Sequence, residues 1–257
     1  MFRLFQAELK RAWIEFIRYP LDTISGVIIT SIFFYGLFLS IRYVAGPNVD
    51  FGSRLDAIVV GYVLWTLVTF IVQVIAFGLQ TEAQTGTVEQ LFLSPYGTLK
   101  VFLARALANV TISLVMTIGV LFFTMVLTGR YLYFSPLLIY PLITVLLAAY
   151  GLSLMMGALT LLFKRVGQML GLVQFGMFFL LTIPAESWTG PFQVLKIILP
   201  MTLGAGILRD LMALNLSLDL PLISLALLNG IGYFVLGSLV FRWAERKAKH
   251  QGILNGY

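Results

Sequence analysis

The chain contains no cysteine, which excludes disulfides and thiolate chemistry. Its one histidine, His250, stands alone in a basic stretch near the end of the sequence, and no grouping of His, Asp and Glu has metal-ligand spacing. Charged residues make up only 11% of 257 positions, under half of the roughly 25% usual in soluble domains. An ordinary soluble fold is therefore excluded. No Gly-x-x-x-x-Gly-Lys-Ser/Thr phosphate loop is present, so the chain does not bind ATP by that device. The long apolar runs are nearly free of ionisable groups, which argues against a proton- or sodium-coupled carrier, because such carriers place charge inside their spans.

What remains is 60% hydrophobic, with a mean hydropathy of +0.96, and reads as an all-α integral membrane protein. A span needs about 20 mostly apolar residues, and six stretches qualify: Thr23 to Tyr43, Ala57 to Leu79, Val101 to Thr128, Pro136 to Phe163, Gln168 to Ile183 and Leu220 to Arg242. The fifth is short by this measure, so an irregular upper end is expected. With six spans both termini share one side. Placing them in the cytoplasm leaves twelve of the 17 Lys and Arg inside and five outside, as the positive-inside rule requires. The net charge of +6 then serves membrane orientation, and nucleic acid is not expected as a partner. The N-terminus lacks a signal-peptide pattern, so the first span is expected to be retained.

Residues 1 to 19 place Phe2, Phe5, Leu9, Trp13 and Phe16 at steps of three and four, an apolar stripe typical of a helix lying in the membrane interface. Glu8, Lys10, Arg11 and Glu15 fall largely off that stripe, with Arg11 spaced to pair with Glu15. Pro20 marks the corner into the first span. Before the last span, residues 186 to 219 are too apolar for a flexible loop. Pro191 and Pro200 divide them into Phe192 to Leu199 and Met201 to Leu216, pieces of about 12 Å and 24 Å as helices. Neither spans, so a re-entrant helical hairpin is expected. Gln73, Asn109, Gln168, Gln174 and Asn229 read first as interhelical hydrogen-bonding groups, with substrate contact the alternative, and Gly167, Gly171 and Gly176 as a close-packing surface, either within the chain or as a dimer seam.

One polar island, Gln80 to Pro95, interrupts the apolar sequence between the second and third spans. Thr81 with Gln84, and Thr87 with Gln90, each match a capping box. Glu82 and Glu89 stand where a helix dipole favours negative charge, Val88, Leu91 and Phe92 form an apolar patch, and Pro95 ends the segment. A short cytoplasmic helix over residues 80 to 95 is expected, with an exposed face for a soluble partner.

At these residues the chain resembles the membrane subunits of ABC-2 type transporters, mostly bacterial exporters. The pattern is carried by Glu82, Gly86, Thr87, Val88, Glu89, Leu91, Leu93, Ser94 and Pro95, with Arg105 following. The likeness extends over the chain: interfacial helix, six spans, and a re-entrant segment with Pro200 and Arg209. The resemblance implies a single permease domain over residues 1 to 257 in the bacterial cytoplasmic membrane, non-enzymatic, exporting a lipidic, glycolipid, polysaccharide or hydrophobic drug-like substrate. Residues 80 to 95 would be the coupling helix, docking an ABC ATPase subunit through Glu82, Gly86, Thr87, Val88, Glu89, Leu91, Phe92, Ser94 and Pro95. ATP and magnesium would belong to that partner. The pathway would lie between two permease copies, expected as a homodimer, lined by Trp65, Phe70, Gln73, Gln174, Phe175 and Phe178, with Glu186, Pro191, Pro200 and Arg209 at a re-entrant gate. Thr182-Ile183-Pro184-Ala185-Glu186 departs from the family's small-residue motif at the end of the fifth span. Two other readings compete. A membrane scaffold would use the same island to hold a soluble partner without transport, and an intramembrane enzyme is disfavoured by the missing acid, base and metal groups.

Overall fold

The computed structural model describes residues 2–45, 52–84, 96–129, 131–163, 166–184, 188 and 192–250. Among them the fold is helical throughout: α1 (Phe2–Arg18), α2 (Pro20–Ala45), α3 (Gly52–Gln84), α4 (Thr98–Thr128), a single 3-10 turn at Pro136–Leu138, α5 (Ile139–Phe163), α6 (Gly167–Thr182), α7 (Phe192–Ile198), α8 (Thr202–Ala213) and α9 (Leu220–His250). Five helices are long and apolar enough to cross a membrane. The sixth expected span is α6, whose 16 residues extend about 24 Å, short of the roughly 30 Å hydrocarbon thickness. It ends where Ile183 turns extended and Pro184 follows.

Local chemistry sets the breaks. Pro20 opens α2, because the first helical position is the one place where a missing N–H costs nothing. Backbone bonds from Tyr19 N to Glu15 O (3.1 Å) and from Thr23 N to Tyr19 O (3.3 Å) carry the ladder around that corner. Gly129 stops α4 in the left-handed conformation, φ 66°, with its N–H on Met125 O, which is the role glycine fills without strain. Ser135 caps the 3-10 turn by accepting from Leu137 N at 3.3 Å, with Pro136 at its first position.

α3 and α5 form the core. The apolar window of α3 is 67% buried and that of α5 56%, against 17 to 22% for α2, α4 and α9, so the outer three turn most of their surface outward. α5 packs most extensively on α9 and next on α3. α9 meets the bundle through one narrow stripe, Ala226, Gly230, Gly237, Phe241, Ala244 and Ala248, all buried. Two glycines make the contact possible: a Cβ at Gly237 would stand 2.1 Å from Gly151 O, and one at Gly151 would stand 2.2 Å from Tyr233 O. Between lipid-soluble helices the association is driven by van der Waals contact, and small residues allow it.

Several expectations take a different form here. Thr81 and Gln84 lie in the last turn of α3, so they do not form an N-terminal capping box: the second span's helix runs through them instead of ending at Leu79. The face of α1 turned inward is Phe5, Glu8, Leu9, Ala12 and Phe16, while Trp13 is 46% exposed. The seating stripe is thus rotated from the purely apolar one, toward Glu8. Gly167, Gly171 and Gly176 have nothing within 4 Å of a notional Cβ, so the close-packing seam within this chain is α5 with α9, not α6. The segment before α9 does divide into two short helices, α7 and α8, at Leu199-Pro200-Met201.

Gly237→Ala is expected to force α5 and α9 apart at the cost of overpacking, roughly 1–3 kcal/mol. The test is its melting temperature in detergent against Gly36→Ala, where nothing lies within 4 Å; equal melting of the two variants would contradict the packing described.

Candidate functional site

Three features stand out, and the first is an aromatic cleft where α2, α3 and α6 meet. Along α3, Tyr62 and Trp65 project toward α2 and α6. Phe34 of α2 packs on Tyr62 with centroids 4.7 Å apart, Tyr62 on Trp65 at 5.4 Å, and Trp65 edge-on to Phe178 of α6 at 5.2 Å. Trp65 Nε1 donates to Gln174 O at 2.9 Å, and Tyr62 Oη donates to Thr30 O at 2.7 Å. These bonds discharge polar atoms that apolar surroundings would penalise and tie the three helices at one level.

Two cavities flank this knot. One of about 320 Å³ lies between Phe34, Phe38, Leu55, Tyr62, Phe178 and Ile183. The other, about 280 Å³, is bounded by Ile29, Phe33, Trp65, Thr69 and Phe70. The first is hydrocarbon in character: its only hydroxyls, those of Tyr62 and Thr182, donate to backbone carbonyls, Thr182 Oγ1 to Phe178 O at 2.6 Å. Thr69, beside the second, holds a buried hydroxyl oxygen without a protein partner among the described residues.

The second feature closes the far end of α6. Arg209 of α8 is 2% exposed and its Nη2 donates to Leu181 O, one of the carbonyls that a helix C-terminus leaves without an intrahelical partner. That same carbonyl presses on α3, where a Cβ at Gly61 would stand 2.3 Å from it. α7 and α8 are themselves fixed from both sides. Asn229 Nδ2 donates to Ile197 O at 2.7 Å and Tyr233 Oη to Ile198 O at 2.8 Å, while Tyr133 N donates to Met212 O at 2.9 Å. The turn between them places Met201 at φ 64°, an uncommon conformation for a residue with a side chain.

The third lies at the opposite end of α3, where the chain leaves α3 for the polar island and re-enters at α4. Arg105 of α4 donates from Nη1 to Glu82 Oε1 at 2.5 Å, and its Nε lies 3.4 Å from Glu8 Oε2 of α1. The three side chains are only 13 to 17% exposed. The guanidinium also stands 5.6 Å from the centroid of Phe102, which packs edge-on against Phe241 of α9 at 6.0 Å. The bond to Glu82 is charge-assisted and therefore strong and directional, while Glu8 is held as an ion pair.

The description ABC-2 type transporter matches residues 3–213 as a family model. The chain belongs to the ABC-2 type transporter family. No curated protein matches it. As an ABC-2 permease it is the membrane-spanning, non-catalytic subunit of an ABC transporter. The matched span takes in the aromatic cleft, Arg209 with Leu181, and the Glu8, Glu82 and Arg105 cluster, while Asn229, Tyr233 and Phe241 of α9 lie beyond it.

Within this ABC-2 permease, Trp65, Gln174 and Phe178 come together in the cleft, and Phe70 shares the smaller cavity with Trp65. Gln73 is half-buried on α3 and borders neither cavity, and Phe175 is 64% exposed, its ring 5.0 Å from Phe179. Of the expected docking residues only Glu82 lies among the described ones. Gly86, Thr87, Val88, Glu89, Leu91, Phe92, Ser94 and Pro95 fall outside them, as do Glu186 and Pro191. Glu82 is turned to Arg105 rather than outward. Pro200 is buried at the α7–α8 turn. Asn229 bonds between helices as its type suggested, whereas Asn109 bonds within α4, to Arg105 O at 2.9 Å. Glu8 was not recognisable in the sequence as a site residue, because a lone carboxylate on a helix is ordinarily solvated. Arg11, three residues on, stands at pairing distance from Glu8 as well as from Glu15, so the sequence carried no signal for the contact with Arg105.

Trp65→Phe keeps the ring stack but deletes the indole N–H, so a loss of about 1 kcal/mol is expected. Phe175→Ala, on the exposed side of α6, should melt close to the parent. Thermal unfolding in nanodiscs separates the two; an equal loss would mean that the indole bond does not hold the cleft.

Proposed function

We propose that this permease exports a lipidic or amphiphilic substrate, working as two copies bound to two ABC ATPase subunits, with ATP and magnesium held by the ATPases. Residues 82 to 95 dock into the ATPase on the cytoplasmic side, where both termini also lie. ATP-driven closure of the ATPases pushes this segment, and α3 and α4 carry the displacement to the aromatic cleft. Two copies facing each other enclose the pathway, to which each contributes α3 and α6. The unoccupied face of α6, with Gly171, Leu172, Phe175 and Gly176 all exposed, supports that placement. α6 to α8 form the outer gate.

The observation that carries this reading is the clasp between Glu82 and Arg105. An island joining two flexible ends would absorb a push. Here the helix before it and the helix after it are locked at the island's root by a 2.5 Å charge-assisted bond, shielded from most water and so little weakened by salt. A force on the island is therefore delivered to both long helices at once. For the substrate, the larger cavity has no free hydrogen-bond donor with which to select a sugar, and its lining of Phe, Leu and Ile favours hydrocarbon.

Co-purification tests the engine. The tagged chain, solubilised mildly, should carry an ABC ATPase with it, and Glu89→Arg combined with Gly86→Pro should abolish that association while leaving membrane insertion intact. Recovery of the wild-type chain without an ATPase would favour the scaffold alternative.

A further inference from the structure

The ion cluster reaches one element further than docking requires. Arg105 engages Glu8 of α1 as well as Glu82 of α3, although α1 lies outside the segment between α3 and α4. The rest of the seat of α1 on α4 is apolar, through Phe5, Leu9, Ala12 and Phe16. Apolar contact is non-directional, so a charged pair adds a point of attachment that it lacks. The Glu8 carboxylate supplies that point, 3.4 Å from Arg105 Nε. The other ion pair on α1, Arg11 with Glu15, is internal to the helix and 57% exposed at both ends, and so ties α1 to nothing else.

From α1 the chain runs directly into α2. The corner is one residue wide, and two backbone bonds bridge it, Tyr19 N to Glu15 O and Thr23 N to Tyr19 O. α2 is among the least buried of the long helices, 22% of its apolar window against 67% for α3, and its Phe34 and Phe38 form one wall of the larger cavity. α2 also packs directly on α4, so Glu8 adds a second connection, through α1, between the root of the island and this wall of the cleft.

We propose that Glu8 is a positioning residue that yokes α1 to the docking island, so that displacement of the island moves α2, and with it one wall of the cleft, together with α3 and α4. The proposal rests on the reading of residues 82 to 95 as the ATPase-docking segment. Without the yoke α1 stays seated but no longer follows the island, and α2 follows it only through its direct packing on α4.

The chain has no cysteine, so a single cysteine placed in it takes a fluorescent maleimide specifically. Arg18→Cys at the end of α1 and Lys100→Cys at the start of α4 are both exposed positions. Each is compared in nanodiscs, in the complex with its ATPase, between the nucleotide-free and the ATP-vanadate states. In the parent, emission is expected to shift at both positions. Glu8→Gln should keep the shift at Lys100→Cys and lose it at Arg18→Cys, and Glu8→Asp, which retains the charge, should restore it. An undiminished shift at Arg18→Cys in Glu8→Gln overturns the yoke, as does a parallel loss at both positions, the mark of a merely structural role. Should Glu8→Gln fail to assemble, the parent decides: a shift at Lys100→Cys without one at Arg18→Cys overturns the proposal. An ATPase missing from the parent complex is seen on the gel before any label is added, and it overturns the docking reading itself.

Discussion

Hydrocarbon offers no hydrogen-bond partners, and most of this structure follows from that constraint. Backbone polar groups inside a bilayer must be satisfied within the fold, so the described residues are helical wherever they are long and apolar. The constraint is sharpest at helix ends, where carbonyls lose their intrahelical partners. The fold answers with side chains from neighbouring elements: Arg209 on Leu181 O, and Asn229 and Tyr233 on the carbonyls that close α7. The short helices α6, α7 and α8 depend on these donors. A helix that stops before reaching water can persist only where another element receives its end.

The same solvent removes the usual driving force for helix association, because lipid is as apolar as a leucine side chain. Contact area then has to come from close approach. Gly151 and Gly237 let α5 and α9 meet backbone to backbone, and Gly61 lets the end of α6 rest on α3. These contacts stiffen α3, α5 and α9 into a frame. α2, packed chiefly on α4 and held to α3 by the Tyr62 hydroxyl and an aromatic stack, turns more of its surface outward. A transporter needs both kinds of element, a frame that carries force and a wall that yields to it.

Charge is confined to the margins, and there it acts as a connector. The Glu8, Arg105 and Glu82 cluster unites three helices at the one place where the chain leaves the apolar bundle for its polar island. Partial shielding from water strengthens these pairs relative to fully exposed ones. Family membership establishes a membrane subunit of an ABC transporter, and in that subunit the cluster ties α1, α3 and α4 together at the root of the polar island.

Much of this was legible in the residues themselves. The low charge and long apolar runs fixed a helical membrane protein, Pro20 and Pro200 marked corners that the helices respect, and the Gln80 to Pro95 pattern pointed to the family. These features are local: hydropathy, proline geometry and a contiguous motif need no knowledge of neighbours. The partners of Glu8, the burial of Arg209 on Leu181 O and the choice of Gly151 and Gly237 as the seam were decided only by tertiary structure. Each depends on two elements distant in sequence meeting at a particular register. A carboxylate on a helix looks the same in sequence whether it faces water or a guanidinium, and a glycine looks the same whether it faces open space, as Gly171 does, or another backbone.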